Sequence, residues 1–415
     1  MWARVRLART IRKFLRRHAV MKILYTNFHT GDGGGHTTYI LNLAAALGPR
    51  HRVTIAAPRS SRLYLYARQI PGVEVVAMGF RNTLTSMIGT GLALRRLIEK
   101  HGFDIVHVNG SADHRIAMLA TMGLGRDSPC IVFTKHNDLP ARGVTTWFKG
   151  KLGTDSVICV SAYTRRRLAQ TVYGRKVNRV VRHGIDLGRF APVSAAAVSR
   201  IRSRFLPGIP EDALVVGSVA GMDDNKGWLD MVTAVAMLPD SLRKRVHIVL
   251  AGQLPDATQR SRVAALGMTR QVTYTGMLRD VRPAVALMDV GFVLSQRETL
   301  SFACREMMAM GKPVIVSDTG GLPENVTPGE DGWLVPPGGH GYIAQLLMLL
   351  LCNPSEVERA GAAARVKSEA EFSLQIFASR TEAVYVECLS RVSPLAAEKG
   401  LAQRVARGRT ASSAS

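Results

Sequence analysis

Residues 290–318 read VGFVLSQRETLSFACREMMAMGKPVIVSD, and this stretch decides the fold. Two short apolar runs, Val290–Leu294 and Pro313–Val316, have the length and composition of buried strands. Between them, Phe302–Met310 is apolar nearly all round, which is typical of a buried helix. Ser301 stands directly before that helix, where serine is preferred as an N-cap. The stretch therefore predicts a parallel strand–helix–strand unit.

The same alternation continues in both directions and predicts an α/β protein. We expect two Rossmann-like, doubly wound domains that face each other across a cleft. Ligands of such sheets bind beyond the carboxyl ends of the strands, so the cleft is the predicted site. The strands predicted outside the stretch above are Lys22–Thr26, Arg52–Ala56, Val73–Ala77, Ile105–Val108, Cys130–Thr134, Ser156–Cys159, Leu214–Val219, His247–Ala251, Val272–Thr275 and Gly332–Val335.

The two series of strands set the domain boundaries. Residues 191–212 lie between them, are rich in Ala, Ser, Arg and Pro, and are predicted to be a linker. The predicted division is a basic extension at 1–20, a first domain at 21–190, the linker, a second domain at 213–365, a C-terminal helix at 366–392 and a disordered tail at 393–415.

Composition and charge exclude several classes of protein. The 415 residues carry 55 Lys+Arg against 31 Asp+Glu, a net charge of +24, which attracts anionic partners. No helix-turn-helix, zinc-finger or RNA-binding pattern is present, so nucleic acid is not an expected partner. The five cysteines are odd in number and form no CxxC pair. This indicates free thiols in a reducing compartment and no metal site.

Targeting signals are weak. No apolar run reaches the roughly 18 residues that span a bilayer, and residues 1–20 lack the apolar middle of a secretory signal. Two interpretations of residues 1–20 stay open: a basic amphipathic segment on an anionic membrane, or residues preceding a true start at Met21. The predicted location is the cytoplasm, with peripheral contact to the inner face of the inner membrane.

A glycine-rich loop, Gly31–His36, follows the first strand and precedes a helix. Gly34 and Gly35 would let the backbone approach a ligand closely, with helix N–H groups pointing at it. A dinucleotide fingerprint needs a third glycine at the place of His36 and an acidic residue after the second strand, where Pro58–Ser60 stands. We therefore reject a dehydrogenase, while a merely tight turn stays open.

Two polar residues follow other strands. His136 comes after the apolar run of residues 131–133, where it can bind a sugar hydroxyl or act as an acid or base, although a structural histidine stays open. Lys226 follows the first strand of the second domain and suits a diphosphate. Asp223 and Asp224 before it are interpreted as helix caps rather than metal ligands.

The helix in the deciding stretch holds a carboxylate, Glu306. A buried carboxylate is costly without a partner, and the adjacent Arg305 faces another direction. The predicted partner is a ligand with hydroxyls to donate, and a structural salt bridge is the alternative. Glu298 lies just before the helix, at the mouth of the cleft, and a diphosphate would rest on the helix N-terminus.

These motifs resemble the retaining family 4 glycosyltransferases (the group 1 transferases of bacterial lipopolysaccharide and polysaccharide assembly), which have the GT-B fold. The resemblance covers about residues 21–390 and is strongest over 214–337. The matching positions are Glu298 and Glu306 with seven residues between them, Lys226-Gly227, His183–Asp186, and Gly311–Asp318 leading to Gly320–Glu324.

The resemblance implies a nucleotide-sugar donor as substrate and no cofactor or metal. Glu306 would hold the ribose of the donor. Lys226 and main-chain N–H groups around Leu300 and Ser301 would neutralise its diphosphate. Gly34 and Gly35 fit the family's glycine loop in the first domain and would also bind the donor.

The resemblance also implies how transfer occurs. Glu298 would contact the transferred sugar, and His136 would sit near its anomeric carbon. Retention would proceed by front-face attack, with the leaving phosphate helping to deprotonate the acceptor, so that no protein nucleophile is required.

The chain departs from the family at three positions. Gly221 stands where an arginine usually provides a second cation, and Thr299 and Ser301 stand where glycines are common. These departures predict one cation fewer at the leaving group and a less close approach of the donor near Glu298. Three arginines are candidates to replace the missing cation: Arg279, Arg282 and Arg297.

Arginines of the first domain indicate the acceptor, because guanidinium groups suit phosphates and carboxylates. With the net charge, they predict a lipid-linked anionic acceptor, such as a lipopolysaccharide core or O-antigen precursor, at an anionic membrane surface. An arginine excess that reflects a GC-rich genome stays open. So do two other functions: a sugar-nucleotide epimerase, and a non-catalytic sugar-nucleotide sensor or scaffold. These arginines are Arg59, Arg62, Arg68, Arg81, Arg95, Arg96, Arg142, Arg165, Arg166 and Arg167.

Overall fold

The computed structural model describes residues 20–392 with the exception of residue 82. The expectations for residues 1–19 and 393–415 lie outside these residues. The strands are β1 (Lys22–Thr26), β2 (Arg52–Ala57), β3 (Val73–Ala77), β4 (Ile105–Val108), β5 (Cys130–Lys135), β6 (Ser156–Cys159), β7 (Val177–Val180), β8 (Leu214–Ser218), β9 (Val246–Ala251), β10 (Val272–Gly276), β11 (Val290–Val293), β12 (Val314–Ser317) and β13 (Gly332–Val335).

Helices connect these strands. They are α1 (Gly34–Leu47), α2 (Arg62–Ala67), α3 (Leu84–His101), α4 (Ser111–Thr121), α5 (Val144–Leu152), α6 (Ala162–Leu168), α7 (Ala195–Phe205), α8 (Trp228–Ala236), α9 (Asp240–Arg243), α10 (Ala257–Ala265), α11 (Arg282–Leu287), α12 (Phe302–Ala309), α13 (His340–Cys352), α14 (Pro354–Glu371) and α15 (Leu374–Val392).

The strands form two parallel sheets. The first has the order β3-β2-β1-β4-β5-β6-β7 and the second the order β10-β9-β8-β11-β12-β13. In each sheet the chain starts in the middle, winds to one edge and returns to wind to the other, so both are doubly wound. The predicted class, two Rossmann-like α/β domains, is confirmed. The strands β1, β4, β5 and β6 are buried along their whole length or nearly so, as their continuous apolar sequences require.

The structure adds two elements that the sequence did not predict. Strand β7 closes one edge of the first sheet, and it was missed because Asn178 and Arg179 interrupt its apolar pattern. Helix α7 occupies the middle of the predicted linker. Ser194 caps it by accepting a hydrogen bond from the backbone N–H of Ala197, and α7 packs against α11.

The C-terminal segment returns to the first domain. Residues 366–392, predicted as one helix, hold the end of α14 and all of α15. The helix breaks between them because the carbonyl of Phe372 accepts a hydrogen bond from the backbone N–H of Ile185, 2.6 Å away, and Ser373 pairs with Ile185 in an isolated bridge. Side chains of α15, among them Phe377 and Tyr385, are then buried in the core of the first domain.

The cysteines of the described chain are free thiols, as predicted. Four are buried, and Cys352 on α13 is exposed. Burial raises the pKa of the Cys159 and Cys304 thiols to about 12, so both are protonated and unreactive at neutral pH. Across the described residues, none of the helices combines the length and apolar character that crossing a membrane requires.

Candidate functional site

A cavity of about 640 Å³ opens between the two domains, beyond the carboxyl ends of the strands. The structure brings all eight predicted site residues to its lining. They are Gly34, Gly35, His136, Lys226, Glu298, Leu300, Ser301 and Glu306. Seven of them reach the cavity from segments that follow β1, β5, β8 and β11 or from a helix start, and Glu306 lies within a helix, which is why motifs distant in sequence converge here. Their individual roles stay predictions.

Helix α12 begins in the lining of this cavity. Ser301 caps it, with its Oγ accepting a hydrogen bond from the backbone N–H of Cys304 at 3.3 Å. Leu300, Ser301 and Phe302 all line the cavity. Unpaired N–H groups and the positive end of the helix dipole therefore face it, and this arrangement favours an anion.

Glu306 lies one turn into α12 and also lines the cavity. Its carboxylate has no hydrogen bond or ion pair with any residue that the structure describes, so the alternative of a structural salt bridge is wrong. Burial raises its pKa to about 7, and the charges of Arg189 and Arg62 offset this only in part. Arg305 faces away, as predicted, and donates to Oδ1 of Asn325 at 2.8 Å. Glu306 is thus a half-buried acceptor available to a ligand's hydroxyls.

Lys226 and Glu298 form an ion pair with 2.8 Å between Nζ and Oε2. Lys226 ends a short 3-10 turn that Asp223 caps by accepting from the backbone N–H of Asn225. Asp224 is 3.4 Å from a guanidinium nitrogen of Arg262. Asp223 therefore caps the 3-10 turn, and Asp224 is a surface ion-pair partner. The prediction that they cap the helix after Lys226 is wrong, because Gly227 is the N-cap of α8.

A cluster of imidazoles occupies the first-domain side of the cavity. The rings of His36 and His136 lie 4.2 Å apart, and those of His29 and His36 lie 4.8 Å apart. Burial lowers the pKa of His36 to about 4 and holds that of His136 well below its usual value, with the neighbouring imidazoles adding to the effect. Both rings are therefore neutral at physiological pH.

The tautomer of His136 follows from its neighbours. Its Nε2 lies 2.9 Å from Oδ1 of Asn109, whose amide nitrogen donates to the carbonyls of Thr26 and His107. Because Oδ1 can only accept, we assign the proton of His136 to Nε2. Its Nδ1 is left as a hydrogen-bond acceptor, so this neutral imidazole can receive a proton but carries no positive charge.

The two departures near Glu298 have structural consequences. The hydroxyl of Thr299 donates to the main-chain carbonyl of His136 at 2.7 Å and so joins the two domains across the cleft. Ser301 has φ of 86°, and it is the one non-glycine residue with positive φ in the described chain. The backbone thus keeps the conformation that suits a glycine, although a serine occupies the position.

Of the three arginines that are candidates to replace the cation missing at Gly221, one lines the cavity. Arg297 is paired with Asp138 at 2.9 Å and Arg282 with Asp280 at 2.6 Å, and neither lines the cavity. Arg279 does line it and forms no ion pair with a described residue.

Sequence reasoning did not place the first-domain cation Arg62 in the site. This residue also lines the cavity, and both oxygens of Asp32 accept from it at 3.0 Å. It was recognised only as one arginine of many, since nothing in a local pattern shows which arginine faces the cleft.

Comparison with known proteins agrees with this geometry. The model of Glycosyltransferase Family 4 matches residues 33–189, and that of Glycosyl transferases group 1 matches residues 199–367. A GDP-mannose-dependent alpha-(1-6)-phosphatidylinositol monomannoside mannosyltransferase of Mycobacterium tuberculosis is 30% identical over 83% of this chain and 92% of its own. The lipopolysaccharide core biosynthesis glycosyltransferase LpsE of Rhizobium meliloti is 25% identical over 80% of this chain and 89% of its own.

A solved structure shows the same fold. HepE of Anabaena in complex with UDP superposes with a TM-score of 0.77 at 18% identity, covering 88% of this chain and all of that one (100%). The predicted GT-B arrangement is therefore confirmed.

Proposed function

The chain belongs to the group 1 glycosyltransferases, and from this premise we propose that it moves a sugar from a nucleotide-sugar donor to a lipid-linked acceptor, with retention of anomeric configuration. The acceptor is proposed to belong to lipopolysaccharide or surface-polysaccharide assembly. The enzyme would meet it at the cytoplasmic face of the membrane as a peripheral protein. No cofactor or metal is proposed to take part.

The unpartnered carboxylate of Glu306 carries the donor proposal. Its half-buried oxygens need hydroxyl donors, and a nucleotide ribose supplies two neighbouring ones. The start of α12 offers N–H groups for the diphosphate next to that position, and Lys226 and Arg279 provide cations. A ligand with ribose and diphosphate therefore satisfies groups that the protein itself leaves unsatisfied.

The geometry around Glu298 supports retention without a covalent intermediate. The carboxylate of Glu298 is held by Lys226 and by the backbone N–H of Thr299, at 2.8 and 3.1 Å. A carboxylate bound in this way is a poor nucleophile and a good hydrogen-bond acceptor for a sugar hydroxyl. We propose front-face attack, in which the departing diphosphate takes the proton of the acceptor hydroxyl.

Two relatives support the acceptor proposal. LpsE acts in lipopolysaccharide core biosynthesis, and the mycobacterial relative is named for a phosphatidylinositol monomannoside. Both names refer to a lipid that carries carbohydrate. Arg62 at the first-domain side of the cleft, with its charge neutralised only at the exposed Asp32, suits an anionic acceptor.

A binding screen tests the donor proposal. Thermal shifts and slow hydrolysis should be measured for a panel of nucleotide sugars with three proteins: the unmodified protein, Glu306→Ala and Glu358→Ala. Glu358 is exposed on α14, so its variant is the control. We expect one nucleotide to raise the melting temperature of the unmodified protein and of Glu358→Ala but not that of Glu306→Ala. A panel without any shift in the unmodified protein would contradict the proposal.

The stereochemistry is tested with the donor that the screen identifies. NMR of the product at early times should show the anomeric configuration of the donor in the new linkage. An inverted product would exclude the front-face mechanism and would require a general base in the cleft.

A further inference from the structure

Helix α5 and the loop before it expose large apolar side chains. Between 44% and 72% of the surface of each is accessible to solvent. Large apolar side chains, which are ordinarily buried, are thus concentrated within 14 positions of the chain, and such a concentration is typical of an interaction surface. Together with the cations described next they are called the α5 patch. They are Leu139, Val144, Trp147, Phe148 and Leu152.

Exposed cations surround these apolar side chains. Lys151 lies in the last turn of α5, and Arg166 and Arg167 lie on α6, which faces α5 across a cavity of about 830 Å³. None of these cations pairs with an acid among the residues that the structure describes. Asp155 is the single acidic residue between Asp138 and Asp186, so this segment carries a large excess of positive charge. The cations of the α5 patch are Arg142, Lys151, Arg165, Arg166 and Arg167.

The α5 patch adjoins the mouth of the cleft. His136 lines the cleft cavity and Leu139 lines the cavity between α5 and α6, and three residues of chain span at most about 11 Å. Lys135 fixes this connection, because its Nζ donates to the carbonyl of Leu139 at 2.7 Å and to Oδ1 of Asn137 at 2.8 Å. A surface that binds the α5 patch therefore lies beside the acceptor side of the cleft.

We propose that the α5 patch seats the enzyme on an anionic lipid bilayer, with Trp147 and its apolar neighbours in the headgroup region and the arginines on lipid phosphates. The inference deepens the proposed function, since it supplies the surface that would deliver a lipid-linked acceptor to the cleft. It rests on that function for its purpose, but binding to a bilayer needs neither donor nor acceptor.

The chemistry of the patch favours a bilayer over a protein partner or a soluble anion. The indole of Trp147 has an apolar ring and a polar N–H group, which suits the boundary between headgroups and acyl chains. Arginine and lysine beside it gain from the negative potential of anionic lipids. Phe148 and Leu152 lie outside the lining of the cavity between α5 and α6, and the three apolar side chains that line it are each more than half exposed. A small soluble anion would therefore leave apolar surface uncovered.

Co-sedimentation with vesicles tests the proposal on the full chain. Phosphatidylcholine vesicles with and without phosphatidylglycerol are the probes, and tryptophan emission is recorded in parallel. Three patch variants are compared: the double variant Arg166→Gln/Arg167→Gln, Trp147→Ser and Trp147→Phe. Matched controls are Arg245→Gln/Arg270→Gln, two exposed arginines of the second domain, and Tyr342→Ser, an exposed aromatic residue of α13.

We expect binding only to the anionic vesicles. Removal of two arginines should weaken it about 25-fold at low salt, from about fivefold for each cation near the surface. Trp147→Ser should weaken binding at least tenfold, and the controls should bind like the unmodified protein. Tryptophan emission should shift to shorter wavelength on binding, and Trp147→Phe should abolish this shift.

Three results would overturn the proposal. The first is equal binding to both kinds of vesicle. The second is unchanged binding of the patch variants, including in a chain that lacks residues 1–20. The third is normal vesicle binding by patch variants that lose transfer to a soluble acceptor, which would make the α5 patch an acceptor site. Donor hydrolysis in solution is measured for every variant. Its absence from the unmodified protein would count against the proposed function and not against the bilayer surface.

Discussion

Lys226 and Glu298 hold each other across the donor side of the cleft, with 2.8 Å between Nζ and Oε2. One is the predicted contact of the leaving diphosphate and the other that of the transferred sugar. A bound diphosphate must therefore share Lys226 with a carboxylate of the same charge as its own. The affinity for the leaving diphosphate therefore depends on both residues, since the ion pair with Glu298 reduces the positive charge that Lys226 presents to the ligand.

Opposite effects on nucleotide binding are expected from the two halves of this pair. Lys226→Ala should weaken binding of the nucleoside diphosphate roughly 10- to 100-fold, the range for losing a charged hydrogen bond. Glu298→Gln should tighten it about three- to tenfold, because a competing negative charge is removed, while transfer falls about 100-fold. Isothermal calorimetry and initial rates measure these effects, with Lys244→Ala as the control for an exposed lysine. Weaker nucleotide binding in both variants would contradict the competition between Glu298 and the diphosphate for Lys226.

The raised pKa of Glu306 predicts a pH-dependent stability. Its folded-state pKa of about 7 exceeds the ordinary 4.5, so ionisation destabilises the native state. This free-energy cost is absent below pH 4.5, the ordinary pKa of a glutamate, and is complete above about pH 7. After allowance for solvent screening, Glu306→Gln should gain about 1 to 2 kcal/mol at alkaline pH and nothing in acid. Thermal melts against pH measure the gain. Glu358→Gln should show no such trend, and a gain that grows toward acid pH would refute the assignment.

A neutral His136 predicts the shape of the pH profile. Because burial keeps its pKa well below the usual value, kcat at saturating donor should have no acid limb near the ordinary histidine pKa of about 6.5. Any dependence near neutrality should appear in kcat/KM and should vanish in Glu306→Gln. His136→Asn should lower kcat about 100-fold, with His340→Asn as the control. An acid limb in kcat that His136→Asn removes would show a cationic role instead.

The positive φ of Ser301 predicts a stabilising substitution. A glycine there relieves a strain of roughly 1 to 3 kcal/mol and loses only a few tenths as an N-cap. Ser301→Gly should therefore stabilise the second domain by about 1 kcal/mol, or about 2 to 4 °C in melting temperature. Ser301→Ala keeps the strained backbone and loses the bond to Cys304, so it should destabilise by about 1 kcal/mol. Equal melting temperatures for the two variants would show that the backbone carries no strain.

Local pattern predicted most of the fold, because buried parallel strands have continuous apolar sequences. The strands β1, β3, β4, β6 and β13 have the predicted bounds. The edge strand β7 was missed, since an edge tolerates polar residues such as Arg179 that hide the pattern. Helix α7 was missed for a different reason: Val198, Ile201 and Phe205 recur at helical spacing, but the Ala, Ser, Arg and Pro content of the segment was interpreted as a linker.

The site was predictable as a set of residues but not as a set of contacts. Glu306 could be identified because a carboxylate in an apolar helix needs a partner wherever the helix lies. The bond from Thr299 to the carbonyl of His136 joins residues 163 positions apart, and no local rule relates them. The backbone of Ser301 was equally hidden, since an N-cap serine ordinarily has an extended conformation.

Helix α15 makes the first domain depend on a segment that follows the whole second sheet in sequence. Tyr385 on this helix lies within hydrogen-bonding distance of His107 and Tyr25, at 2.6 and 3.0 Å, and Phe377 packs in the same core. A ribosome that has synthesised the whole first sheet has not yet supplied this covering. Cotranslational folding of the first domain therefore stops short of completion until α15 has left the ribosome, and a nascent chain cut off after the second sheet leaves a partly exposed core for chaperones and proteases to recognise.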